Sequence, residues 1–427
     1  MAGIVLRRMH FRPFSAMVQC GQIPEGGVER MRVGAEKIRI FFVLCILGCG
    51  FALALVQPVA GQCDPATTAF LVTEPPLFQD DLEYESLAPA IDRSVDYLRR
   101  LSEGKTFALC GGEYSAVRLI ESLLAFKRII AEKPSPQELT AILTRDFMLC
   151  QAQGRASDQR MFLTGYYEPL FKASLTQTAV YRYPLYRPPS DLVSIPGTQG
   201  GERQTGRMDN GSLVPYFTRG EIETGRLLAG QELVYLADPV EAFILHVQGS
   251  GRIQLADGSL HRVQFAAKNG REYRSIGRLL VENGVMGKEE ATMPGIVRYL
   301  KEHPEEREKI LRHNESFVFF RRGDDAAAGP LGCLGEPLTP GRSVALDQNC
   351  FPPGSLAFLA TRKPIADAAG EIIGWEPLRR FVVNQDCGSA ITGPGRLDLF
   401  WGGGRYAEAA AGNMKHPGVL YFLVKKK

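Results

Sequence analysis

Residues 384–402 constrain this chain more than any other stretch. They place Asp386 and Asp398 on either side of a loop of Gly, Ser, Thr and Pro. The run Arg380-Phe381-Val382-Val383 before the loop and residues 397–401 after it read as short strands bounded by turn residues. Side chains alternate across a strand, so Leu397, Leu399 and Trp401 share one face while Asp398 lies beside Phe400 on the other. A carboxylate there is partly desolvated, which raises its pKa toward the range a general acid needs near neutral pH. The competing reading is that both aspartates cap turns, as Asp does beside Gly.

The 427 residues suffice for two domains. Lys and Arg number 50 against 47 Asp and Glu, a net charge of +3, which argues against nucleic acid as a partner. With 45 glycines and 27 prolines the chain is dense in turns, and a β-rich body is expected.

The N-terminus bears on the compartment. Basic residues at 32–39 lead into an apolar run at 40–54, and small residues follow up to Gly61. This is the form of an export signal, with cleavage expected near Gly61 and Met31 as a candidate start. A retained membrane anchor competes with it, because the run is nearly long enough to span a bilayer. Neither Cys49 nor Cys63 sits in a convincing lipid-attachment motif. Cleavage would leave Cys63, Cys110, Cys150, Cys333, Cys350 and Cys387, enough for three disulfides whose pairing stays open. No CxxC or HExxH occurs, so neither a metal nor another cofactor is called for.

From Leu87 to about Gln153 the periodicity is helical, with faces at Ile91, Val95 and Leu98 and at Val117, Ile120 and Leu124. A third helix opens with a capping box at Ser135 and Glu138. A β-rich stretch starts at Met161. Tyrosines alternate over 181–186, as in a strand that packs in a core or lines a carbohydrate groove. Residues 191–209 read as a loop, 221–228 as a short helix, and 241–251 as a strand ending in a glycine turn. Arg252 to Phe265 is predicted to be a hairpin with a type I′ turn at Asp257-Gly258. Helices are expected near 276–282, 295–302 and 304–313, and strands over 316–322, 343–347 and 355–359. Ser250 lies between glycines but lacks the G-x-S-x-G elbow of a serine nucleophile.

Taken in order, these motifs resemble a known family. They are Thr164-Gly165-Tyr166-Tyr167-Glu168-Pro169, Val247-Gln248-Gly249-Ser250-Gly251, Ala267-Lys268-Asn269-Gly270, Phe319-Phe320, Val344-Ala345-Leu346-Asp347 and Asp386-Cys387-Gly388 with Leu397-Asp398. Over about residues 160–405 the set is similar to the membrane-bound lytic murein transglycosylase A family. The resemblance implies a mainly β protein with a helical N-terminal part, in which a double-psi β-barrel (64–167 plus 318–427) carries an inserted second β-rich domain (168–317). It also implies an exported, periplasmic protein, monomeric and attached to the outer membrane in many members. Such a protein would bind peptidoglycan glycan strands between its domains and cleave the N-acetylmuramic acid to N-acetylglucosamine bond without water. Of the three aspartates, Asp398 would be catalytic, Asp386 would support it, and Asp347 reads as structural. Thr164, Gly165, Tyr166, Gln248 and Ser250 are the further supporting or substrate-binding positions. Arg321 stands where the family often has a lysine, which keeps the charge and changes the hydrogen-bond geometry.

The chemistry leaves alternatives. Asp386 and Asp398, if on neighbouring strands about 4.8 Å apart, suit the spacing of a two-carboxylate hydrolase as well as a single-aspartate lyase. A non-catalytic wall-binding module would use the same residues. An aspartic-protease-like dyad is disfavoured, because Asp386 is followed by Cys-Gly rather than by Ser or Thr and Gly.

Overall fold

The computed structural model describes residues 63, 68–72, 74–154, 159–195, 204–368, 370–388 and 390–427. All belong to one compact unit, Ala60–Lys427. The expected export signal, its cleavage point at Gly61 and Cys49 lie outside the described residues. Among the described residues no helix is long and apolar enough to cross a membrane.

Six strands close into a barrel. In order around the ring they are Met161–Glu168, Arg396–Gly403, Ser343–Ala345, Ile372–Asp386, Leu356–Ala366 and His416–Lys425, and the last pairs back onto the first. Two of the six contacts are parallel: Met161–Glu168 with Arg396–Gly403, and Ser343–Ala345 with Ile372–Asp386. Parallel neighbours need long crossovers. The first contact joins residues more than two hundred positions apart, and this gives the double-psi arrangement.

The barrel is filled by Leu163, Val344, Phe358, Phe381, Val383, Leu397, Leu399 and Phe422, all buried. Helices Leu87–Arg99 and Ala116–Ala131 cover it with Ile91, Val95, Leu98, Leu119, Leu123 and Phe126. Phe126 packs on Phe381 with ring centres 4.6 Å apart. Val117, assigned by periodicity to this apolar face, is 63% exposed instead. The fully buried Arg342 is held by both oxygens of Asp80, at 2.6 and 2.9 Å, which fastens residues 80–86 to the barrel. A charge so far from water is tolerable only with a partner in good geometry.

The segment expected to be helical through Gln153 also contains strands. Thr106–Leu109 and Gly112–Ser115 form a hairpin, and Phe147–Ala152 extends the barrel sheet beside His416–Lys425.

A second six-stranded sheet runs Val318–Arg322, Leu260–Lys268, Ser250–Gln254, Leu170–Ser174, Glu232–Leu236, Tyr183–Tyr186. It has its own core of Ala173, Leu185, Val234, Leu236, Leu245, Ile253, Val263 and Phe320. By pairing, Val318–Arg322 belongs to this sheet, whereas the expected boundary at 318 places it with the barrel.

Three local expectations change here. Residues 239–248 are a helix, Pro239–Gln248, not a strand. Asp238 caps it by accepting from the Val240 amide at 2.8 Å, Pro239 occupies the first turn, and Gly249 ends it at φ 74°. An unbroken apolar run fits a buried helix and a buried strand equally well, and the cap decides between them. The turn at 255–258 has one left-handed residue, Gly258 at φ 85°. A type I′ turn needs two, and Asp257 instead caps the turn by accepting from the Ser259 amide. Strands Val193–Ile195 and Gln204–Asp209 occupy part of the predicted loop and pair with each other.

Candidate active site

Asp398 lies on the strand Arg396–Gly403, and the alternation read from sequence holds: Leu397, Leu399 and Trp401 enter the barrel core. Arg396, Asp398 and Phe400 therefore share the other face. In the parallel register Asp398 lies beside Thr164 and Phe400 beside Tyr166. The Thr164 hydroxyl donates to Asp398 Oδ1 at 2.8 Å and receives Arg396 Nη2 at 3.1 Å. A guanidinium only donates, so the single hydroxyl proton of Thr164 is committed to the aspartate. Burial lifts the Asp398 pKa to about 6, against the Thr164 hydrogen bond and the Arg396 charge, while the nearby Asp386 adds to the rise.

Asp386 ends the strand Ile372–Asp386 and is held differently. Its Oδ2 accepts from the Tyr166 hydroxyl at 2.7 Å, and its Oδ1 accepts from the amides of Cys333 and Cys387 at 2.9 Å each. Burial still raises its pKa, although all of these hydrogen bonds favour the charged form. Tyr166 packs against Phe400 with ring centres 5.2 Å apart, and burial followed by the Asp386 charge pushes its phenol well up. Thr164 and Tyr166, two residues apart on one strand face, thus each serve one of the two carboxylates.

The two aspartates are not on neighbouring strands. Ser343–Ala345 runs between them, and Ala345 is the register partner of both. The backbones are therefore two strand spacings apart, roughly 9.6 Å. Local sequence gave no sign that a strand from forty residues upstream inserts there.

The remaining sequence candidates separate. Gly165 faces the core: a Cβ there would meet Trp401 Nε1 at 2.6 Å and the Ala411 Cα at 3.0 Å, so its place is dictated by packing. Asp347 accepts from the amides of Gly393 at 2.7 Å and Asn349 at 3.0 Å, bracing the loop between the other two aspartates. Gln248 accepts from the Tyr167 amide at 3.0 Å and ties the end of its helix to the barrel strand. Beside it the buried Arg262 and Glu168 pair at 2.6 Å. Ser250 and Arg321 both register with Gln264, so the three form a row across the second sheet. With its amide oxygen toward Arg321, Gln264 accepts from Nε at 3.2 Å and from Nη2 at 2.6 Å.

Sequence reasoning missed Arg396, Gln264 and the two cysteine amides. Arg396 was recoverable, because it lies two residues before Asp398 and hence on its face. Nothing local pointed to Cys333 at Asp386.

The fold and the site together define a double-psi barrel whose floor presents two desolvated aspartates in unequal cradles. Family models described as "MltA specific insert domain" and "3D domain" match residues 162–321 and 342–424. Two curated relatives named "Membrane-bound lytic murein transglycosylase A" match over 64% of this chain and 68% of their own length. They come from Escherichia coli K12, 34% identical, and Vibrio cholerae, 32% identical. The chain belongs to the membrane-bound lytic murein transglycosylase A family. A solved structure of a membrane-bound lytic murein transglycosylase from Agrobacterium tumefaciens is 29% identical, with TM-score 0.68, covering 84% of this chain and 98% of that one. The E. coli MltA structure with bound chitohexaose is 26% identical, with TM-score 0.65, covering 87% and 100%.

Proposed function

We propose that this chain is an exported lytic transglycosylase that cleaves the β-1,4 bond from N-acetylmuramic acid to N-acetylglucosamine in peptidoglycan, with Asp398 acting first as acid and then as base. The barrel and the second sheet, which runs from Leu170 to Arg322, act as two domains, and the glycan lies between them. The observation that carries the reading is the contrast between the aspartates: Asp398 has a pKa of about 6 and a Thr164 hydrogen bond, while Asp386 accepts from three donors.

The neutral Asp398 carboxyl gives its proton to the glycosidic oxygen as the C1–O4 bond breaks. The resulting carboxylate then takes the proton of the muramoyl 6-hydroxyl as O6 closes on C1. No water enters, the carboxyl is restored, and the product carries a 1,6-anhydro end. The nucleophile belongs to the substrate and is already held close, so no second carboxylate need attack. In this scheme Asp386, held in place by donors that favour its charged form against the effect of burial, supports substrate binding beside the reacting centre. Arg321, oriented by Gln264 in a row with Ser250, serves a more distant part of the glycan. The likeness to an MltA structure solved with chitohexaose supports a glycan as ligand.

A two-carboxylate hydrolase is the second reading. A retaining one needs carboxyl groups about 5 to 5.5 Å apart, and an intervening strand together with three donors on Asp386 argues against that. Digestion of purified sacculi by wild type and Asp398→Asn, followed by mass analysis of the muropeptides, tests the proposal. Wild type should release ends lacking one water, and Asp398→Asn should bind sacculi without releasing them. Fully reducing ends would support hydrolysis, and full wall function in Asp398→Asn would mark a binding module.

A further inference from the structure

Four of the described cysteines are paired, as Cys63–Cys350 and Cys110–Cys150. Cys333 and Cys387 remain as free, exposed thiols. They come from turns far apart in sequence: Cys333 lies between the second-sheet strand Val318–Arg322 and the barrel strand Ser343–Ala345, and Cys387 directly follows the strand Ile372–Asp386. Their sulfurs and a carboxylate oxygen of Asp386 nonetheless lie within 4.8 Å of one another. Gln348 Nε2 donates to the Cys333 sulfur at 2.7 Å. The amides of these same two cysteines are the pair that grips Asp386 Oδ1.

We propose that Cys333 and Cys387 form a third disulfide, and that this cross-link is a positioning device that keeps both amides on Asp386. The thiols meet at an exposed edge, within reach of an oxidant. A protein disulfide of a thiol oxidant in the export compartment suffices. One cysteine thiolate attacks a sulfur of that disulfide, releasing one donor thiol and leaving a mixed disulfide. The second cysteine displaces the other donor sulfur as a thiol, so two electrons and two protons pass from the pair to the donor. A bound metal ion is the rival reading. A closed structural zinc site takes four protein ligands, whereas this cluster offers three groups, and one oxygen of the carboxylate already accepts from two amides.

The positioning part rests on the role proposed for Asp386, while the covalent part does not. Without the cross-link the two turns part and Asp386 loses donors that favour its charged form, so its protonation moves to higher pH.

The full chain, purified from an oxidising compartment, is denatured without reductant, alkylated, digested and mapped by mass. The expected result is a peptide pair joined through Cys333 and Cys387, with neither cysteine alkylated. Alkylation of both, with the other two disulfides intact, overturns the cross-link, as does stoichiometric zinc released by thiol modification. The second arm measures pH–rate profiles of Cys333→Ser with Cys387→Ser. We expect kcat/KM to fall roughly tenfold, the loss typical of hydrogen bonds to a charged group, and the acid limb to move to higher pH with unchanged product chemistry. A lower melting temperature with an unmoved pH profile would make the disulfide merely structural. Reducing-end products from the wild type would instead count against the proposed function and leave the mapped cross-link standing.

Discussion

Asp398 and Asp386 flank the same strand, both meet residue 345, and both are pushed toward protonation by burial. They differ in what holds them. Asp386 is clamped by a phenol and two amides from three separate segments. Asp398 accepts from one hydroxyl, itself directed by Arg396. A carboxyl that must release and recover a proton in one cycle cannot be tied down by several donors, each of which favours the ionised form. Burial alone therefore does not mark the acid; burial with few donors does.

The largest test of this contrast is Asp398→Asn. General acid–base catalysis contributes about a hundredfold to ten-thousandfold, and because one group serves twice here, turnover should fall by about a thousandfold or more while sacculus binding persists. Wild-type kcat/KM should also decline as pH rises through about 6, where Asp398 loses its proton.

The same substitution should stabilise the fold. The native pKa of Asp398 lies above its unfolded value, so its contribution is fully present below about pH 4 and is lost as pH rises through about 6. A shift of this size is worth at most about 3 kcal/mol, from 1.36 kcal/mol per pKa unit. Urea unfolding of Asp398→Asn should show a gain of about 1–3 kcal/mol at pH 8 that vanishes near pH 4. A gain independent of pH would contradict the desolvation account.

Gly165→Ala probes the strand behind both aspartates. Its new methyl meets the indole of Trp401 and the backbone of Ala411, and overpacking of this kind costs about 1–3 kcal/mol. Thermal unfolding should show the loss, and an unchanged midpoint would mean that Trp401 moves aside freely.

Thr164→Val should have the smallest effect. Removing one hydrogen bond to the neutral acid costs about 0.5–1.5 kcal/mol, so kcat/KM should drop by up to about tenfold. The alkaline limb should move to higher pH, because the lost bond had favoured the carboxylate. A limb moving to lower pH would reverse the assigned donor direction.

Much of the site was legible from short-range pattern. Period-two alternation puts Asp398 on the partly open face, and the capping box at Ser135 and the helix expected near 276–282 both appear in the structure. What was not legible depends on distant chain. The insertion of Ser343–Ala345 between the two aspartate strands follows from a crossover that no local window records. The helix Pro239–Gln248 looks like a strand in sequence because its apolar run has no clear period, although Asp238-Pro239 is a helix start signal. The clamp on Asp386 was invisible because backbone amides carry no residue signature.

The central claim is that Asp398 transfers a proton twice and that water never attacks C1. Digestion of sacculi in water enriched in oxygen-18 tests it directly. The account predicts glycan ends free of the label and lacking one water, whereas one labelled oxygen at each newly formed muramoyl C1 would contradict it.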